Sequence, residues 1–196
     1  VNPVVTKIGR FAASIAARSI VGQPRSTIDP AAWLRSGAIV IVNTAKWRVG
    51  DGTSALVGAT LLNLVSAVVA EQVTVASGQR RPISIIVDEF HAVPGADYET
   101  ILAELPKYGA NLILATQGLG RLETLDQAHQ RSLRRDMFSN LGGLVCFNTS
   151  ALDAKQLVPE LGEKVTVEDL VALPSFHCYI RFGTNDPAVC DGMPVF

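Results

Sequence analysis

Ile83-Ser84-Ile85-Ile86-Val87-Asp88-Glu89 is the stretch on which the fold turns. A short, nearly continuous apolar run rich in β-branched residues is the mark of a strand buried on both faces of a parallel sheet. Two carboxylates close it at once. In open α/β sheets, ligands bind beyond the carboxyl ends of the strands, so Asp88 and Glu89 stand where a ligand would. A carboxylate at the Asp88 position suits the hydrated Mg²⁺ of a nucleotide, a hard cation that takes oxygen ligands and keeps several waters. Glu89, one residue on, points elsewhere and can orient or deprotonate an attacking water. The alternative is a solvated acidic pair at a strand end.

Working outward, Leu112-Ile113-Leu114-Ala115 repeats the pattern and leads into Thr116-Gln117. Gln117 puts an amide at that tip, and a Thr-Gln pair taken alone is ordinary loop chemistry. Further apolar runs at Ala38–Val42, Leu144–Phe147 and Cys178–Phe182 read as strands. Between them lie helical patterns at 3–21, near 30–34, 53–76, 98–107 with Pro106 ending or distorting it, 121–140 and 151–161. Residues 43–52 are a polar loop, and the Pro- and Gly-bearing tail reads as loosely held. Strands alternating with helices predict an α/β fold, a mostly parallel sheet with helices on both faces.

Composition agrees with a single such domain. The chain has 196 residues, of which 48% are hydrophobic and 18% charged, with a mean hydropathy of +0.27, as strands covered on both faces require. No run reaches the ~20 apolar residues of a bilayer span; 54–76 comes nearest and is interrupted by Asn63, Ser66, Glu71 and Gln72. A net charge of −1 and a pI near 6.3 give no bulk basic footprint for nucleic acid. Cys146, Cys178 and Cys190 lack metal spacing, and an odd count without a secretory signal points to a reducing, cytoplasmic compartment with neither disulfide nor zinc. No Gly-x-Ser-x-Gly elbow and no Cys/His pairing supports hydrolysis of carbon substrates.

Pieces spread along nearly the whole chain are similar to the C-terminal part of the HerA/FtsK superfamily, closest to the TraG/TraD-type coupling ATPases of conjugation and type IV secretion. They are Val5-Thr-Lys7-Ile-Gly-Arg10, Gln23 with Ser26-Thr-Ile-Asp29, Gly37 to Asn43, and Gly58. Ile86-Val-Asp88-Glu89-Phe90-His91, Lys107-Tyr-Gly109-Ala-Asn111, Ala115-Thr-Gln117, Asn140 and Asp153-Ala154 continue the series. Their order and spacing make the match. The resemblance implies a RecA-like P-loop ATPase core, present in part: residues 1–36 would end an inserted all-α domain, and 37–196 would be the C-terminal part of the ATPase domain. It also implies an ATP-hydrolysing, DNA-translocating motor that works as a homo-oligomer, a hexamer, beside secretion-channel proteins. Such a motor would stand at the inner face of the cell membrane if an anchor precedes these residues. By the same resemblance Asp88 serves Mg²⁺ (the Walker B position), Glu89 is the catalytic base, and Gln117 binds and senses the γ-phosphate of ATP.

Two departures stand against it. The phosphate-binding signature GxxxxGK[ST] occurs nowhere; Gly50-Asp-Gly52-Thr-Ser54 is glycine-rich but has no lysine. Pro106 stands where the family often carries an arginine, a candidate finger across the subunit interface. Lys107 supplies charge there without the planar fork that suits phosphate. Arg131, Arg134 and Arg135 are a second candidate interface or DNA-facing patch, or else a solvated helix face. Arg181 is either a finger or a structural charge. His91 is within reach of Glu89 or is an ordinary loop histidine. Trp33 and Trp47 read as packing residues, with base stacking the alternative for Trp47 beside Lys46 and Arg48. A rival reading is a non-catalytic ring-assembly module that keeps the fold while another chain hydrolyses ATP.

Overall fold

The computed structural model describes residues 9, 14–122, 133–162, 164–183 and 187–191. The chain divides into two compact units, residues 1–116 and 117–196; the expected boundary at 36/37 falls inside the first.

In the first unit, α1 (Ile15–Val21) and α2 (Pro30–Ser36) are capped by Ser14 and Asp29, whose side chains accept from the N–H groups of Ala17 and Ala32. The loop expected at 43–52 contains α3 (Lys46–Val49). Next comes α4 (Asp51–Ala70), continued by a 3₁₀ turn to Thr74. By length and composition alone this helix is long and apolar enough to cross a bilayer, which its polar interruptions did not suggest. Those interruptions are used inside the fold. The Asn63 amide donates to the Gly95 carbonyl at 3.1 Å and its oxygen accepts from the Asp97 N–H at 3.1 Å.

Gln72, 7% exposed, is the tie that positions the sheet. Its amide nitrogen donates to the carbonyls of Arg81 (3.1 Å) and Tyr108 (2.9 Å), and its oxygen accepts from the Arg81 N–H (2.8 Å). Arg81 enters β1 (Ile83–Val87), and Tyr108 enters β2 (Ala110–Leu114) after α5 (Tyr98–Glu104) and a 3₁₀ turn carrying Pro106. One side chain thus grips the start of both strands. They pair in parallel with Ile83 opposite Ala110 and Val87 opposite Leu114. Gly109, at φ 87°, makes the left-handed turn that lets β2 begin two residues earlier than its apolar run suggests.

Only one face of this pair is covered. Ile83, Ile85, Val87, Leu112 and Leu114 are half-buried, whereas Ser84, Ile86, Asn111 and Ile113 on the other face are exposed. The expected strand Ala38–Val42 has no strand pairing: Ile39 is 95% and Ile41 89% exposed. A buried-strand composition needs a neighbouring strand to become one, and among the described residues none is offered.

In the second unit, the helix expected at 121–140 is described at its two ends only: Leu119–Leu122 is a 3₁₀ turn and α6 spans Leu133–Ser139, while Arg131 lies outside the described residues. β3 (Gly143–Cys146), α7 (Ala151–Leu161), α8 (Val167–Val171), β4 (His177–Phe182) and β5 (Ala188–Asp191) follow. The α/β class holds, but among the described residues parallel pairing is confined to β1 and β2; β3, β4 and β5 pair antiparallel in that order. A single crossover helix returns a strand in parallel; here two packed helices, α7 and α8, lie between β3 and β4 and add one reversal. The tail, expected to be loose, supplies β5. Cys146 and Cys178 are buried in their strands as small apolar groups, and all three cysteines are free.

Candidate functional site

β1 ends at Val87, and the chain leaves the sheet through a tight turn. Asp88 is exposed, and its Oδ1 accepts from the Glu89 N–H at 3.0 Å. Asp88 Oδ2 has no partner among the described residues. Glu89 sits at φ 49°, ψ 45°, a left-handed conformation that costs a residue with a Cβ about 1–2 kcal/mol. Such strain persists only where the surroundings over-determine it, and here they do.

The 3₁₀ turn Phe90–Ala92 is fixed from three sides. The Phe90 N–H donates to the Ala115 carbonyl beyond β2 at 3.2 Å, and the Ala92 N–H donates to the Glu89 carbonyl at 2.7 Å. The Phe90 ring is fully buried and meets Tyr98 edge-on, centroids 5.5 Å apart at 71°. The Tyr98 hydroxyl donates to the Phe90 carbonyl at 2.9 Å, and burial pushes its phenol well above the ordinary tyrosine range. α5, capped by Asp97, thus carries the tyrosine that holds the acidic turn. Reading the sequence alone missed Tyr98; an aromatic nine residues past the acids at a helix start was the available sign.

On this frame Glu89 lies beside His91, with His91 Nε2 3.3 Å from Glu89 Oε2. The other ring nitrogen, Nδ1, is 3.3 Å from the Thr116 Oγ1 at the end of β2. Among the described residues no lysine or arginine pairs with Asp88 or Glu89. Nor is any group of three or more His, Cys, Asp or Glu side chains placed to hold a metal. A lone carboxylate is nonetheless what a nucleotide-borne Mg²⁺ needs, because phosphate oxygens and waters complete its octahedron.

The first unit therefore brings together Asp88, Glu89, His91 and Thr116 at the carboxyl ends of adjacent parallel strands. Its groove of about 380 Å³, lined by Leu34, Val68, Gln72 and Arg81, lies at the opposite, amino end of β1, away from where α/β sheets bind ligands. Lys107 is elsewhere too, bonded to Glu104 at 2.7 Å, which raises its pKa. Trp47, read as a packing residue, is instead 83% exposed with the Arg48 guanidinium 5.7 Å from its ring centre.

In the second unit Gln117 is exposed. The turn after it is held by Asp153, whose Oδ2 accepts from the Leu119 N–H at 3.2 Å. A Cβ on Gly118 would lie 3.0 Å from that oxygen, so a larger residue there needs the Asp153 carboxylate to give way. Arg134 donates to Gln156 of α7, Arg135 is exposed, and the Arg181 Nη1 donates to the Gly183 carbonyl at 2.8 Å. The Arg181 Nε is buried without a partner among the described residues.

No family model matches the sequence, and neither does any curated protein sequence. Solved structures do resemble the fold. An unbound form of the bacterial conjugative coupling protein TrwB superposes with a TM-score of 0.71 over 91% of this chain, at 12% identity. Plasmid coupling protein TrwB with a non-hydrolysable ATP analogue gives 0.67, and with ADP and Mg²⁺ 0.68, each over 90% of the chain at 14% identity. These matches cover 47%, 47% and 46% of the TrwB chains, so this chain spans about half their length. The fold is therefore similar to that of about half of the TrwB chain.

Proposed function

We propose that these residues are the Mg²⁺- and water-facing half of an ATP-hydrolysing motor domain that translocates DNA in conjugation or type IV secretion. The observation that carries the reading is the pair Asp88–Glu89, free of lysine and arginine partners among the described residues, at the end of β1 in a fold similar to nucleotide-bound TrwB.

The residues fit the group they would serve. Asp88 offers an exposed carboxylate whose Oδ2 is unengaged among the described residues, as a water-mediated or direct Mg²⁺ ligand requires. Mg²⁺ held there would neutralise phosphate charge as it develops. Glu89 aligns the attacking water and accepts its proton. Gln117, next in the chain after the β2 tip, donates its amide to the γ-phosphate and passes hydrolysis on as movement. The cradle for the phosphates is supplied from outside these residues, since GxxxxGK[ST] is absent from them. The uncovered face around Ile86 and Ile113 and the unpaired run at Ile39 and Ile41 favour the same view: large apolar surface of this kind is normally covered, and the strand bearing the phosphate loop is the natural cover.

The working state is a ring of six copies that hands DNA, or a protein, to a secretion channel. Lys107, Arg134, Arg135 and Arg181 are the described candidates for an interface charge; Lys107 would have to leave Glu104 to act, and Arg134 would have to leave Gln156. The missing phosphate signature also favours a second reading, a ring-assembly module without catalysis.

The test is Glu89→Gln in the full-length protein. ATP binding is retained and turnover is lost; hydrolysis at the wild-type rate rejects the motor assignment.

A further inference from the structure

Glu89 does not stand alone, and the contact it makes has a chemistry of its own. We infer that His91 is a positioning residue for Glu89 and mechanically ties it to the tip of β2 through Thr116. The inference rests on Glu89 being the water-activating base.

The ring bridges two side chains that are far apart in sequence, with 3.3 Å at each nitrogen. An ionised carboxylate only accepts, so the nitrogen facing Glu89, Nε2, carries the proton. In the neutral ring Nδ1 is then the acceptor, and the Thr116 hydroxyl donates to it. That order, Thr116 O–H to Nδ1 and Nε2–H toward Oε2, is the only one that satisfies both partners of a neutral imidazole. The same dual use of a ring, one nitrogen oriented by one partner so that the other can serve a functional group, fixes histidines at many working sites.

The ring has little room to do anything else. The His91 side chain is 15% exposed against 36% for Glu89. Its backbone belongs to the turn pinned by Phe90 N–H to Ala115, by the buried Phe90 ring and by the Tyr98 hydroxyl. A carboxylate held at Oε2 keeps Oε1 as the oxygen available to a water. Because Thr116 precedes Gln117 in the chain, displacement of the β2 tip reaches Glu89 through a rigid five-membered ring. Glu89 stays aligned only while that tip stays in place.

The experiment is steady-state ATP hydrolysis by the full-length protein in a mutant cycle. His91→Ala lowers kcat about 10- to 100-fold, the usual cost of removing an orienting partner, with KM for ATP changed by less than about twofold. His91→Gln, whose amide N–H reaches as far as Nε2, recovers most of kcat. Thr116→Val lowers kcat in the same direction by less, and Thr116→Ser restores it. In the Glu89→Gln background, His91→Ala has no further effect on the residual turnover, followed as product formed over hours at high enzyme concentration, because a positioning residue has nothing left to position. Wild-type kcat in His91→Ala, a loss that adds fully to that of Glu89→Gln, or a change in KM alone would each overturn the inference. Should His91→Ala fail to fold, the His91→Gln and Thr116→Val arms carry the test, and wild-type kcat in Thr116→Val then overturns it. A Glu89→Gln enzyme that turns over normally fails differently: it removes the base assignment itself, and the inference with it.

Discussion

Replacing Gln72 by Met isolates the hydrogen bonds that set the β1–β2 register, because Met keeps the length and volume of Gln and can make none of them. Three bonds go: two from the amide nitrogen to Arg81 and Tyr108 and one from the Arg81 N–H. At about 1 kcal/mol net per bond, and more where a group is left unsatisfied, the loss is about 3 kcal/mol. Each 1.4 kcal/mol is a factor of ten, so amides that exchange through opening of this pair lose about 100-fold in protection. Two reporters bracket the strands: the Ile83 N–H, bonded to Gly109, and the Ala115 N–H, bonded to Val87. Both lose protection if the tie holds the whole ladder, while Cys146 in β3 keeps its own. Gln72→Glu is at least as damaging at neutral pH, since it turns an acceptor toward two carbonyls. If Gln72→Met changes the protection of Ile83 and Ala115 by less than about twofold, the side chain is not what fixes the register.

Tyr98→Phe deletes the hydroxyl that holds the Phe90 carbonyl and costs about 1 kcal/mol at neutral pH. The wild-type phenol is raised by burial, so the folded state keeps a proton that an unfolded tyrosine releases at about pH 10. The wild-type advantage is complete below that pH and falls as pH rises above it; urea midpoints of the two proteins converging between pH 8 and 11 check the sign. Burial pushes the Cys146 thiol up to about 11, so at pH 8 a thiol reagent labels half-buried Cys190 first and Cys146 only on unfolding, as mass spectrometry of the modified peptides would read. Calorimetric titration of the 196-residue chain with Mg·ATP finds weak or undetectable binding, because carboxylates on the metal side give little ground-state affinity without a phosphate cradle; tight binding would contradict the division of labour proposed above. Glu89→Gln in the full-length protein retains nucleotide and loses turnover.

The strand that carries the acids was legible to the residue: four apolar residues around Ser84 and two carboxylates are a local signal, and β1 spans Ile83–Val87 as read. β2 was legible in place but not at its start, because the left-handed turn at Gly109 is a backbone event with no hydrophobic signature. Ala38–Val42 shows the opposite failure. Its composition asks for a buried strand, but a strand exists only with a partner, and pairing is not written in the strand that seeks it. The antiparallel order of β3, β4 and β5 was hidden for a related reason, since it depends on how many helices intervene and how they pack. Of the site, the carboxylates were visible one by one, and the Glu89–His91 contact as a reach. The Thr116–His91 contact spans 25 residues and appears only once β1 and β2 are in register.

That dependence on register links the fold to the chemistry. With Val87 opposite Leu114, the next residues out of the sheet bring the Phe90 N–H to the Ala115 carbonyl and the His91 ring to Thr116. A slip of one residue between the strands would exchange the faces of every β2 side chain. Thr116 would then turn away from the ring, and Ile113, now exposed, would turn inward. Gln72 grips the strands at one end, and the acidic turn with its histidine closes the other. The site is therefore as well placed as the register is well fixed, and a buried glutamine at the far end of the sheet bears on the alignment of Glu89 without touching it.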